Sequence, residues 1–173
     1  MQERCLRGPF RICLGVLASW RFIRPMHLAI DLRLQRLTLF HQSRELFVCV
    51  ISSAFAGSGT APGSLRTPTG RFVIAEKIGH DAPLGTIFRS RQPIGDLADP
   101  HSPDDQIATR ILWLDGLDPA NANTRSRYIY LHGTNHEEQL GLPTSHGCIR
   151  LANTAIADLF DLVAVGTTVS IVE

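Results

Sequence analysis

Excess charge is missing from this chain of 173 residues: 17 Lys and Arg stand against 16 Asp and Glu, a formal +1. No whole-chain basic field of the kind that recruits nucleic acid exists, so nucleic acid is not an expected partner. Long hydrophobic runs are missing as well. The apolar stretch Ile12 to Trp20 is too short, and too closely flanked by Arg11 and Arg21, to span a bilayer, so no stable membrane span is expected. Cysteine is scarce, with only Cys49 and Cys148 beyond the tail residues Cys5 and Cys13, which excludes a disulfide scaffold. Repeats and low-complexity tracts are absent, and no helix-period segment of useful length precedes Asn153. What is left is an ordinary globular composition, 44% hydrophobic and 19% charged, at a length suited to one domain.

The charge is unevenly placed. Up to Pro25 the chain carries Arg4, Arg7, Arg11, Arg21 and Arg24 against Glu3. Basic residues, a short apolar run and Val16-Leu17-Ala18 as a small-residue cleavage candidate make a weak export signal. The competing reading is an overextended start, with translation beginning at Met26. Either way residues 1–25 are expected to be a basic tail outside the fold, and residues 26–173 the single domain.

The body reads as strands. His27 to Phe40 alternates apolar and polar residues on both sides of Arg33 to Arg36, as two strands joined by a turn would. Glu45 to Ser53 follows as a continuous apolar run of the kind expected of a strand covered on both faces, with Cys49 beside Phe47 and Ile51 as a small core residue. Thr67-Pro68-Thr69-Gly70 makes a turn, because Pro68 presets φ and Gly70 frees the backbone, and it launches a strand from Arg71. Gly79 to Asp105, with four prolines and little periodicity, reads as a long loop of functional type. Ala108–Gly116 and Arg125–Gly133 read as two further strands. The second puts Tyr128, Tyr130 and His132 on one face and ends at His132 and Gly133, where chemistry is commonly mounted. Asn153 caps a helix to about Val163, with Ile156, Leu159, Phe160 and Val163 on its apolar face; Gly166 ends it, and Thr168 to Val172 returns as a last strand. The expected fold is mainly β with one C-terminal helix packed on the sheet.

Against this frame the segment Ser145-His146-Gly147-Cys148-Ile149-Arg150 stands out. A cysteine becomes a nucleophile as its thiolate, which needs a base or positive neighbour, and His132 and His146 are the candidates nearby in sequence. Gly147 permits close backbone approach, so amides around residues 146–148 can face a developing oxyanion. Packing is the plain alternative for Cys148. Zinc is another: His132, His136, His146 and Cys148 offer four ligands within a short span, although Gly133, Thr134 and Asn135 are poor helix formers for an i, i+4 pair.

Together, Thr67-Pro68-Thr69-Gly70, a strand ending His132-Gly133-Thr134, the run Leu140 to Asn153 and the closing Val165 to Ile171 resemble the YkuD-type L,D-transpeptidase catalytic domain. The resemblance covers nearly all of residues 26–173 and implies a compact β sandwich or barrel acting on peptidoglycan stem peptides through a cysteine acyl-enzyme. It implies Cys148 as nucleophile, His132 as proton donor and acceptor, and the Gly133 carbonyl as the group orienting His132. It places His146 and Gly147 at the pocket and oxyanion site, and Ser145, Tyr130 and Arg150 as substrate-binding candidates, Arg150 having structural pairing as its other role. No cofactor is implied, carbapenem-type inhibitors are expected to acylate the thiol, and the location implied is the periplasm or cell envelope. Alternatives of other classes are an L,D-carboxypeptidase on the same fold, a zinc-dependent peptidoglycan amidase or peptidase, and a non-catalytic wall-binding module.

Overall fold

The computed structural model describes residues 26–173, so the readings of the tail, with Cys5 and Cys13, lie outside the described residues. In chain order the elements are β1 (Met26–Asp31), β2 (Arg36–His41), β3 (Arg44–Val50), β4 (Gly70–Ile78), β5 (Thr86–Arg89) and β6 (Gln92–Leu97). They continue with β7 (Ala108–Gly116), β8 (Tyr130–Gly133), β9 (Ile149–Leu151), α1 (Asn153–Leu162) and β10 (Thr168–Val172), with short 3-10 turns at Pro119–Asn121 and Glu137–Gln139. Sheet order is β3-β2-β1-β10-β4-β7-β5-β6, and β8 pairs with β7 and with β9. Pairing is antiparallel except for β1 with β10 and β8 with β9. The sheet curls as a half-barrel around α1, the mainly β fold with one covering helix that the sequence predicts.

Strand alternation decides the core. Leu28 and Ile30, Leu37 and Leu39, Phe72 and Ile74, and Leu112 and Leu114 point the same way from successive strands and are buried against Ile156, Leu159 and Phe160 of α1. Among the described residues no helix is long and apolar enough to cross a membrane.

Four local expectations change. The run at β3 is not covered on both faces: β3 is the sheet's edge, and Leu46, Val48 and Val50 are 40%, 45% and 53% exposed while Phe47 and Cys49 face inward. Alternation was present but hidden, because its outward positions are also apolar. The segment 79–105 is not one loop but contains the β5–β6 hairpin, whose tip residues Ser90 and Arg91 take φ of 49° and 67° without a glycine to signal the turn. The second predicted strand begins only at Tyr130, since Tyr128 sits in a turn at φ 57°. Finally, Asn153 is the first residue of α1 rather than its cap. Its backbone N–H donates to the Glu137 carboxylate at 2.8 Å, and the helix ends at Leu162, before the turn containing Gly166.

Candidate active site

Register builds the site. β8 lies antiparallel to β7 and parallel to β9, with Leu131 opposite Ile149 and His132 opposite Arg150. Leu131 and Ile149 enter the main core, so alternation puts Tyr130, His132, Arg150 and, just before β9, Cys148 on the other face. Cys148 packs there beside Phe88, Ile111 and Tyr130. Adjacent strands lie about 4.8 Å apart, so the diagonal pair His132 and Cys148 are near neighbours although 16 residues separate them in sequence.

The Cys148 Sγ donates to the Tyr128 carbonyl at 3.3 Å and accepts the Tyr130 N–H at 3.4 Å. Burial pushes the thiol up to about 11, while the Tyr130 N–H and the cations Arg150 and Arg127 act in the opposite direction. Burial therefore favours the thiol over the thiolate in the resting group. His132 is 2% exposed, and its Nδ1–H donates to the Gly133 carbonyl at 2.8 Å, which leaves the Nε2 lone pair free. Burial holds this imidazole below its ordinary 6.5, so it is neutral at neutral pH. Burial thus pushes both groups toward their uncharged forms, a thiol and a neutral imidazole. Gly133 is required by packing: a Cβ there would meet the Ala108 carbonyl at 2.8 Å and collide with Asn153 Oδ1.

The loop before β9 is braced from within. Ser145 is 2% exposed; its hydroxyl donates to the Cys148 carbonyl and accepts the Gly147 N–H at 3.3 Å, so it is engaged by the loop and not free for substrate. Gly147 takes φ of 122°, a conformation that favours glycine. The His146 side chain is largely in solvent, with Nδ1 3.9 Å from Asp105 Oδ2.

For Arg150 the geometry shows the pairing that was one of its two expected roles. Arg150 is 2% exposed, pairs with Asp105 Oδ2 at 2.6 Å, and donates to Gln139 Oε1 and the Thr144 hydroxyl and carbonyl. Both terminal nitrogens are thus engaged within the protein. The four zinc candidates do not converge: His136 Nε2–H donates to the Ser102 carbonyl at 2.7 Å. Among the described residues no group of three or more His, Cys, Asp or Glu is placed to hold a metal.

Several contributors carried no sequence signal. Asp105 comes from an irregular segment. Arg127 ties the loop 59–66 to the site by donating to the Gly59 and Arg66 carbonyls at 3.0 and 2.7 Å. Trp113 stacks on Tyr128 at 5.8 Å between centroids and meets Tyr130 edge-on. Arg91, at the hairpin tip, lies 4.8 Å over the Trp113 ring and donates to the Tyr130 hydroxyl at 3.4 Å, contacts that hold its left-handed backbone in place. Beneath this hairpin is a cavity of about 580 Å³ lined by Ile78, His80, Phe88, Arg91, Pro93 and Leu97. Thr67 had a signal, the Thr-Pro-Thr-Gly turn, which was legible only as a turn.

Known proteins supply a direct comparison. The family model described as YkuD, L,D-transpeptidase catalytic domain, matches residues 25–171. A putative L,D-transpeptidase, YqjB of Bacillus subtilis, is 40% identical over 72 residues, covering 42% of this chain and 38% of that protein. The probable L,D-transpeptidase ErfK/SrfK of Escherichia coli is 51% identical over 47 residues, covering 27% of this chain and 15% of that protein. The chain thus spans well under half the length of these relatives. In fold it is similar to an L,D-transpeptidase of Xylanimonas cellulosilytica, with TM-score 0.57 and 20% identity over 88% of this chain and 62% of that one. It is also similar to L,D-transpeptidase 3 of Mycobacterium tuberculosis carrying a faropenem-derived adduct, with TM-score 0.55 and 19% identity over 86% and 60%.

Proposed function

The chain belongs to the YkuD family of L,D-transpeptidase catalytic domains, and from that membership we propose that it transfers peptidoglycan stem peptides through an acyl-enzyme on Cys148. The observation that carries this reading is the placement of Cys148 and His132 on one face of β8 and β9, with Nδ1 of His132 held by the Gly133 carbonyl.

In the proposed reaction, Cys148 Sγ attacks the carbonyl of the third, diamino-acid residue of a donor tetrapeptide, and His132 Nε2 takes the thiol proton. A C–S bond forms. Collapse of the tetrahedral adduct breaks the C–N bond to the terminal D-alanine, whose amine leaves with the proton held by His132. An amine of a second stem then attacks the thioester, gives its proton to His132, and the thiol is restored. Backbone amides near Gly147 face the developing oxyanion, and His146 and Tyr130 border the pocket. If water attacks instead of the amine, the same site is a carboxypeptidase. A substrate of this kind places the protein in the periplasm or cell envelope, with residues 26–173 as the catalytic domain and the basic tail outside it.

Incubation with a disaccharide tetrapeptide and mass spectrometry of the products tests the reading. The expected outcome is loss of D-alanine with a cross-linked dimer, and a single carbapenem adduct that maps to Cys148 and is missing from Cys148→Ala. Release of D-alanine without dimers assigns the carboxypeptidase. Stem binding that survives Cys148→Ala, with no turnover by the unmodified chain, assigns a wall-binding module.

A further inference from the structure

We propose that Thr67 is a positioning residue for acylation, acting through the peptide between Gly147 and Cys148; this rests on the reading of Cys148 as an acyl acceptor. Thr67 is fully buried, and its hydroxyl accepts the Ala54 N–H at 3.1 Å. That bond directs the hydroxyl proton the other way, to the Gly147 carbonyl, also at 3.1 Å. A trans peptide points its C=O and N–H in opposite directions, so fixing the Gly147 carbonyl toward Thr67 turns the Cys148 N–H away from the buried side. Of the two amides flanking that carbonyl, Gly147 N–H is engaged by Ser145 Oγ at 3.3 Å, whereas the Cys148 N–H has no acceptor among the described residues. The free donor therefore belongs to the nucleophile's own residue, where an acyl oxygen bonded through Sγ comes to lie.

Ser145 holds the Gly147 N–H and the Cys148 carbonyl, which leaves the peptide between those two residues to Thr67. The Gly147 φ of 122° is open only to glycine-like backbone, and its nearest neighbours outside the chain path are the Arg66 carbonyl, Ile129 and Leu65, none closer to its Cβ direction than 3.5 Å. The Thr67 hydroxyl is thus a direct restraint on the orientation of that peptide.

The test compares two reactions of one thiol. A nitrophenyl acetate ester acylates Cys148: the S–C bond forms, the C–O bond breaks, nitrophenolate leaves, the thiol proton goes to His132, and an oxyanion develops in between. Iodoacetamide alkylates the same sulfur by displacement of iodide and develops no oxyanion. Thr67→Val keeps the side-chain shape and removes the hydroxyl; it is expected to slow acylation about tenfold or more while alkylation stays within about twofold. Thr67→Ser is expected to restore most of the acylation rate, with Cys148→Ala as the control that assigns both reactions. If Thr67→Val does not fold by thermal melting, Thr67→Ala serves for the same comparison. Equal slowing of both reactions, or of neither, overturns the proposal. The ester is not a stem peptide, so the two readings fail separately. A chain that ignores the tetrapeptide but shows the split loses the transpeptidase reading and keeps Thr67; one that cleaves it with Thr67→Val unimpaired does the reverse.

Discussion

Cys49 and Cys148 are the same side chain on two parts of one sheet, the edge strand β3 and the bend entering β9, and burial raises the pKa of both, to about 12 and about 11. Burial alone therefore does not separate a packing cysteine from a nucleophile. Neighbours do. Around Cys49 desolvation is the only cause of the shift, whereas Cys148 receives the Tyr130 N–H and lies near Arg127 and Arg150. Cys49 sits among Phe47 and the apolar core, while Cys148 shares its face with a buried imidazole whose Nδ1 is held by the Gly133 carbonyl. In the proposed site the thiol is held protonated until His132 takes the proton.

The sharpest way to break this contrast is to remove the base. His132→Ala is expected to lower acylation by about 10² or more without creating reactivity at Cys49, as read by single-turnover kinetics and peptide mapping. In the unmodified chain the acid limb of acylation is expected below pH 6.5, because burial disfavours the imidazolium. Stability has the same sign. The folded imidazole binds its proton less readily than the unfolded one, so stability is present above 6.5 and is lost as pH falls below it, which urea midpoints measured across this window should register. An acid limb above 6.5 would show that His132 is not the neutral base described here.

The next largest effect is on the support of the site. Arg150→Met leaves Asp105 without its partner and should cost about 3 kcal/mol in urea unfolding, the low end for a broken buried pair, because Asp105 retains water on one side. Adding Asp105→Asn should recover part of that loss. No recovery would mean that Arg150 acts by packing and through Thr144, not through the ion pair.

The smallest effect belongs to the other cysteine. Cys49→Val, a near volume-conserving change at a half-buried position, should shift stability by less than about 1.5 kcal/mol and leave acylation unchanged. A lost or halved adduct in this variant would abolish the distinction between the two thiols.

Legibility followed the range of the forces involved. The start of β4 was legible to within one residue, Arg71 expected against Gly70 observed, because the Thr-Pro-Thr-Gly turn fixes it locally and a β-rich run follows. The buried face of α1 was readable from Ile156, Leu159 and Phe160, with Val163 buried just past its end, since a helix repeats its contacts within a few residues. The β5–β6 hairpin was not readable, because its turn is held by Arg91 lying over Trp113, more than twenty positions away. The edge position of β3 was hidden for a related reason: an apolar side chain carries no record of whether a strand will lie beyond it.

The sequence by itself determined the β character of the body, the covering helix, the pairing of Ser145 to Arg150 with a strand ending in His132, and thereby the family. Those features rest on alternation, turn chemistry and motif spacing, all of which are local. Only the tertiary structure decided that Arg150 is an internal ion-pair partner of Asp105 and that Ser145 braces its own loop. It also placed the Thr67 hydroxyl against the Gly147 carbonyl, 80 residues away in sequence. The physical reason is that hydrogen bonds and ion pairs are specific in distance and direction but indifferent to sequence separation. Their partners exist only once the sheet has set β8 against β9 and folded the loops over that face.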